Sequence, residues 1–150
     1  MEKPKFVYVT HINTTPEKLW NALVHPDFTQ QYWGGRRLQS DWTVGASIKH
    51  LKADGAVELK GEVLQFDPPR LLAYTFVDCA PPLSRPAEKT TRVTFEITVA
   101  FGVTKLTVTH DGFEPESKLF PDISNGWPAI LSSLKTLLES GTALPFTWKC

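Results

Sequence analysis

The stretch that most constrains the fold is Asn125 to Gly141, NGWPAILSSLKTLLESG, where Trp127, Ile130, Leu131, Leu134, Leu137 and Leu138 recur at helical three-four spacing. The opposite side carries Ser132, Ser133, Lys135, Thr136, Glu139 and Ser140, so the helix lies on a surface and offers it one apolar stripe. Ser124 or Asn125 can cap its start, Pro128 is tolerable near the first turn, and Gly141 suits a left-handed end. At about 1.5 Å per residue the segment is roughly 24 Å long, enough to cross several strands. The rest of the chain must supply a broad apolar face.

Lys5 to Ile12 is rich in β-branched and aromatic residues and is expected to form a first strand. Thr14 and Glu17 stand at capping-box spacing, with Pro16 in the first turn of a helix that buries Leu19, Trp20, Leu23 and Val24. His25-Pro26 ends it, Asp27 to Trp33 adds one or two further helical turns, and Gly34-Gly35 breaks them. Six strands follow: Leu38 to Trp42, Ala46 to Lys52, Val57 to Phe66, Leu71 to Asp78, Thr90 to Ala100 and Thr104 to His110. Ala53-Asp54-Gly55 and Phe101-Gly102 are reversals, and Asp67-Pro68-Pro69-Arg70 is a rigid corner. Cys79 to Lys89, with three prolines, is expected to be a loop that shields an edge or overhangs an opening. Val93, Phe95, Ile97 and Val99 alternate with polar residues, as do Leu106 and Val108, so these strands have one dry face. Only the C-terminal helix is long enough to cover it. The expectation is an α+β fold in which a curved antiparallel sheet wraps that helix, leaving a cavity where the two part.

The 150 residues are expected to form one domain, with a core of about 6–141 and a tail of 142–150. Lys plus Arg and Asp plus Glu both number 16, so no net field draws the chain to nucleic acid or to an anionic membrane. Cys79 and Cys150 are the only cysteines, which is no disulfide framework, and no apolar run has signal-peptide or membrane-spanning length. A cytoplasmic protein is expected. Asn13-Thr14-Thr15 fits the N-glycosylation pattern but is read as a strand end leading into a helix cap.

Several segments together, TTPEKLWNAL, SDWTVGASI, GEVLQFDPPRLLAYTF, HDGF and GWPAILSSLKTLLESG, resemble the START-like (helix-grip, SRPBCC) superfamily. Within it the chain is most similar to the group related to the C-terminal domain of the activator of Hsp90 ATPase, over about Phe6 to Gly141. The resemblance implies a helix-grip fold with a hydrophobic cavity between the long helix and the sheet. Such relatives bind lipids, sterols, polyketides or plant hormones, and a few are cyclases or self-sacrificing resistance proteins. The family has no universal catalytic residue, so fold alone does not give function.

The common enzyme signatures HExxH, CxxC, glycine-rich phosphate loops and GxSxG are missing, and no catalytic residue, metal or cofactor is assigned. His110 continues the Leu106–Val108 face and is expected to point inward, either to hydrogen-bond the backbone or to meet a ligand. His50 can face either way, and Glu62 shares a face with Lys60 but also with Leu64 and Phe66. Tyr32, Trp33, Trp42, Tyr74, Phe76, Phe95 and Trp127 come from separate elements that a helix-grip fold brings around one cavity. With His50, His110 and Leu131 they form the candidate ligand-binding set, and ordinary core packing is the alternative for each one. Trp20 is expected in the core, while Phe146 and Trp148 cover an apolar patch or meet a second subunit.

Three functions follow as expectations. The first is binding of a small hydrophobic or aromatic molecule, such as a lipid, polyketide or flavonoid-like compound. The second is a chaperone-associated interaction module of the Hsp90-activator kind. The third is a cyclase or hydrolase using His110, His50 or Glu62. Homodimer formation fits any of them, and neither nucleic acid nor membrane insertion is expected.

Overall fold

The computed structural model describes residues 3–76 and 90–145. The proline-rich Cys79 to Lys89 loop, both cysteines, Phe146 and Trp148 lie outside them. The chain runs β1 (Phe6–Ile12), α1 (Pro16–Val24), α2 (Pro26–Tyr32), β2 (Arg37–Ser40), β3 (Ser47–Leu51), β4 (Val57–Asp67), β5 (Leu71–Phe76), β6 (Thr91–Ala100), β7 (Val103–Asp111) and α3 (Leu119–Ser140). The strands form one antiparallel sheet in the order β1-β7-β6-β5-β4-β3-β2, curved around α3, which is the expected helix-grip architecture. No helix among the described residues is long and apolar enough to cross a membrane.

The long helix begins earlier than the apolar stripe suggested. Its cap position is Lys118 rather than Ser124 or Asn125, and Ser117 Oγ accepts a hydrogen bond from the Phe120 amide at 3.0 Å. Leu119 and Ile123 are buried and carry the stripe toward the N-terminus past Pro121, which a first turn tolerates. Pro128 consequently stands in the helix interior, where the Ser124 carbonyl loses its usual amide partner; Ser124 Oγ instead donates to the Phe120 carbonyl at 2.7 Å. Gly141 closes the helix at φ 87°, as expected. Ser133, expected on the wet side, is fully buried, because the chain beyond Gly141 turns back and the Leu144 amide donates to its hydroxyl at 3.2 Å. On the outer side Lys135 Nζ donates to the His11 carbonyl, and Glu139 Oε2 accepts from the Asn13 amide at 2.8 Å. The helix thus holds the end of β1.

At α1 the cap is Thr15, whose hydroxyl accepts from the Lys18 amide at 3.2 Å, one residue later than the Thr14–Glu17 box implied. Pro16 at the first helical position dictates that placement. His25 ends α1 and caps α2 through Nδ1, which accepts from the Asp27 amide at 3.3 Å.

In the sheet, Val93, Phe95 and Ile97 face the core as expected, but Val99 is 67% exposed. It lies next to the β6–β7 turn, where Phe101 and Gly102 both have positive φ as a type I′ reversal requires. In β4 a register shift between Val63 and Gln65 ends the simple alternation. Glu62 and Lys60 are exposed, whereas Phe66, nominally on their face, packs against the core beyond the bulge. One close approach governs this bend. A Cβ on Gly61 would lie 2.1 Å from the Thr75 carbonyl oxygen, and the Thr75 hydroxyl accepts the Glu62 amide at 2.7 Å in place of a ladder bond. Gly61→Ala should therefore force β4 and β5 apart and lower stability by about 3 kcal/mol or more. Urea denaturation of the two proteins measures it, and an unchanged midpoint would refute the close-approach account.

Candidate functional site

Six strands and helices, α3 among them, send rings into one place. Trp33 closes α2, His50 comes from β3, Tyr74 and Phe76 from β5, Phe95 from β6, His110 from β7 and Trp127 from α3. Strand register explains part of this assembly: Val63, Tyr74, Val93 and His110 are successive cross-strand partners, and Phe95 is paired with Leu72 and Val108. Trp33 meets His50 at 5.2 Å between ring centroids and Trp127 at 5.3 Å, both edge-on. His50 meets Tyr74 at 6.5 Å and Phe76 at 6.0 Å; Phe76 meets His110 at 4.9 Å; Phe95 meets Tyr74 at 5.8 Å and Trp127 at 5.9 Å. Tilted and edge-on contacts of this kind suit ring quadrupoles and leave little room between the rings.

Among the described residues, the space between helix and sheet at these rings is accordingly almost filled. A cavity of about 10 Å³ remains among Trp33, Phe76, Ile123, Trp127 and Ile130, scarcely space for one water.

His110 is committed to a chain of hydrogen bonds. The Trp127 indole N–H can only donate, and it does so to His110 Nδ1 at 3.0 Å. The neutral ring then carries its proton on Nε2, 2.7 Å from Thr91 Oγ1, and the Thr91 hydroxyl in turn donates to the Phe76 carbonyl at 3.1 Å. Helix α3, β7, β6 and β5 are joined by this relay. Burial pushes His110 down to about 3, against a smaller upward pull from Asp111. Both His110 ring nitrogens are thus engaged by side chains, and Thr91 carries the chain on to a backbone carbonyl.

Three neighbouring rings are different. Trp33 Nε1, His50 Nδ1 and Tyr74 Oη are buried and have no hydrogen-bond partner among the described residues. Their residues are at most 3% exposed. Burial and the nearby Arg36 cation push His50 down to about 3, and burial raises the Tyr74 phenol well above its ordinary value. His50 is thus uncharged and Tyr74 keeps its proton at neutral pH. Buried polar atoms ordinarily find partners, so a contiguous trio without them calls for a cause.

The remaining candidates are placed elsewhere. The Tyr32 hydroxyl donates to the Ala22 carbonyl at 2.9 Å, tying α2 to α1, and burial raises its pKa well above the usual range. Leu131 is buried in the core cluster. Trp42 stands apart with φ 53°, stacked on Phe66 at 6.3 Å, beside an open groove shared with His25, Asp41 and Lys49. Sequence reasoning omitted Phe113, whose ring lies 4.7 Å from His110, although it is the first large apolar residue after the last strand. It also omitted Ile123, because the helix appeared to start after it, and Thr91. Among the described residues no group of three His, Cys, Asp or Glu could hold a metal.

A family model described as Activator of Hsp90 ATPase homolog 1-like protein matches residues 13–139. The chain belongs to that family. Solved structures similar to this chain include protein MLL2253 from Mesorhizobium loti, 28% identical with a TM-score of 0.76, the match covering 90% of this chain and 96% of that one. The Aha1 dimer from Colwellia psychrerythraea is 22% identical with a TM-score of 0.74, covering 92% and 98%. An HSP90 activator from Plasmodium falciparum is 20% identical with a TM-score of 0.70, covering 89% and 95%. A search of curated proteins found no match. These solved structures share the fold with this chain.

The buried histidines set a pH dependence. Each falls from an ordinary 6.5 in the unfolded chain to about 3 in the fold. Below 6.5 the unfolded chain binds protons that the native one refuses, so stability is full above that value and is lost as pH falls toward 3. The loss approaches about 1.4 kcal/mol per pH unit for each histidine. Denaturation midpoints at pH 7.5, 6 and 5 should fall steadily, and His50→Phe should reduce the slope. A profile flat down to pH 5 would contradict this.

Proposed function

We propose that this activator-family chain binds a small aromatic or otherwise hydrophobic molecule between α3 and the sheet. It does so as a single START-like domain with its core at about 6–141. The observation that carries this reading is the trio of buried polar atoms on Trp33, His50 and Tyr74 that have no partner among the described residues. A core selected only for packing would use apolar rings there, because each orphaned group costs about 1–3 kcal/mol. A ligand that meets those atoms recovers that cost, and the surrounding rings supply apolar contact. Among the described residues the gap at these rings is about 10 Å³, so a ligand that reaches those atoms does so with rearrangement of side chains.

A screen of lipids, polyketide-like and flavonoid-like compounds is the test. A ligand at a hundred times its Kd should stabilise the protein by about 2.7 kcal/mol. That corresponds to a rise in Tm of roughly 5 to 10 °C, accompanied by quenching of tryptophan emission. A panel that moves neither quantity would remove the proposal.

A second reading is favoured by the family match and by the description of the Plasmodium falciparum neighbour: the chain docks on an Hsp90-type chaperone. The description of the Colwellia psychrerythraea protein as a dimer supports a self-associating form. Addition of the chain to an Hsp90-type ATPase should raise turnover severalfold, with complex formation visible by pull-down. No binding and unchanged turnover would eliminate that reading. A cyclase or hydrolase draws less support, since Glu62 is exposed and both His110 nitrogens are engaged.

A further inference from the structure

Trp33 and Trp127 sit edge-on to each other yet differ in one respect. The Trp127 indole N–H is bonded to His110, whereas the equally buried Trp33 N–H has no acceptor among the described residues. The Trp33 backbone is held, its amide donating to the Thr29 carbonyl at 2.9 Å and its carbonyl accepting the Arg36 amide at 3.1 Å, with Arg36 Nη1 donating to the Gly34 carbonyl at 2.9 Å, so it is the ring alone that lacks a hydrogen-bond tie. Trp33 follows the last turn of α2 and precedes Gly34 and Gly35, which take φ of 56° and 85°. No atom lies within 4 Å of where a Cβ on Gly35 would be, so the backbone there borders open space. Trp127 is held in mid-helix. The Trp33 ring fills a slab between His50 and Trp127 and forms one wall of the small cavity.

We propose that the Trp33 indole occupies the ligand's seat, that it swings outward about its own side-chain torsions, and that the vacated slab accepts a flat aromatic molecule bearing a hydrogen-bonding oxygen. This rests on the ligand-binding function proposed above and specifies its ligand class. The walls argue for a planar ring, because His50 and Trp127 already meet an aromatic slab edge-on at 5.2 and 5.3 Å. The polar atoms argue for an oxygen. Tyr74 retains a hydroxyl proton to donate, and a ligand carbonyl or phenol can take it while facing His50 Nδ1. A saturated acyl chain would satisfy neither atom. Outward movement also gives the Trp33 N–H access to water.

Nuclear magnetic resonance of the full chain tests this, with 2-naphthol as the probe and naphthalene and decanoate as comparisons. Indole signals are assigned through single Trp→Phe substitutions. In the wild-type protein, 2-naphthol should shift the Trp33 indole N–H signal saturably and speed its solvent exchange at least tenfold, while the Trp127 signal stays in place. Trp33→Ala, with the seat already open, should bind 2-naphthol at least tenfold more tightly than wild type. Adding Tyr74→Phe to that variant should remove about tenfold of the 2-naphthol affinity and leave naphthalene unaffected. The wild-type spectra suffice where Trp33→Ala fails to fold. A probe that stabilises the protein while the Trp33 signal is unmoved overturns the gate and leaves ligand binding intact. Equal binding of naphthalene or decanoate overturns the oxygen requirement, and no binding to either protein overturns the seat itself.

Discussion

The hydrogen bond from the Trp127 indole to His110 is the polar contact on which the arrangement of this domain depends. Apolar burial presses α3 onto the sheet but is non-directional and leaves sliding and rotation open. A donor that can only donate, meeting a histidine whose other nitrogen is taken by Thr91, specifies one position of the helix over β6 and β7. The bond also selects the neutral tautomer of His110, so the same contact that registers the helix makes the core sensitive to acid. Lys135 and Glu139 repeat the registration at the other end of the contact, through backbone atoms of His11 and Asn13.

Around that fixed point two histidines in similar burial have opposite roles. His110 has both nitrogens engaged and works as a structural tie. His50, with Trp33 and Tyr74 beside it, leaves buried hydrogen-bonding capacity unspent. The difference follows from neighbours: Thr91 and Trp127 converge on β7, while β3 near the edge of the sheet faces rings whose polar atoms point to no partner among the described residues. Polar demand is therefore met on one side of Phe76 and unmet among the described residues on the other. The nearly filled chamber is consistent with that division, because the apolar rings pack closely where the polar demand is met and are under-satisfied where it is not.

Several features were legible in the residues and several were not. The stripe from Trp127 to Leu137, the alternation of Val93, Phe95 and Ile97, and the inward direction of His110 all follow from local periodicity, and the structure keeps them. The same periodicity misplaced Val99, since alternation says which face a residue takes but not where the covering helix stops. It left β4 undecided, because the bulge at Leu64 is imposed by the approach of Gly61 to Thr75, a residue on the next strand. Leu119 and Ile123 were hidden behind Pro121, whose acceptability depends on where the first turn falls. Trp42 was grouped with the other aromatics because a helix-grip fold brings their elements around one cavity, and its backbone at φ 53° places it against Phe66.

The chain by itself determined the element order, the one-sided sheet and the helix that covers it, because those rest on spacings of two and of three to four residues within single segments. It also determined that rings would be plentiful at the interface. Only the tertiary structure decided which of them meet, that the space at these rings is nearly full, and that Trp33, His50 and Tyr74 lack partners among the described residues. Those properties are set by side chains from segments far apart in sequence, and whether a buried polar atom is satisfied is a matter of ångströms between them.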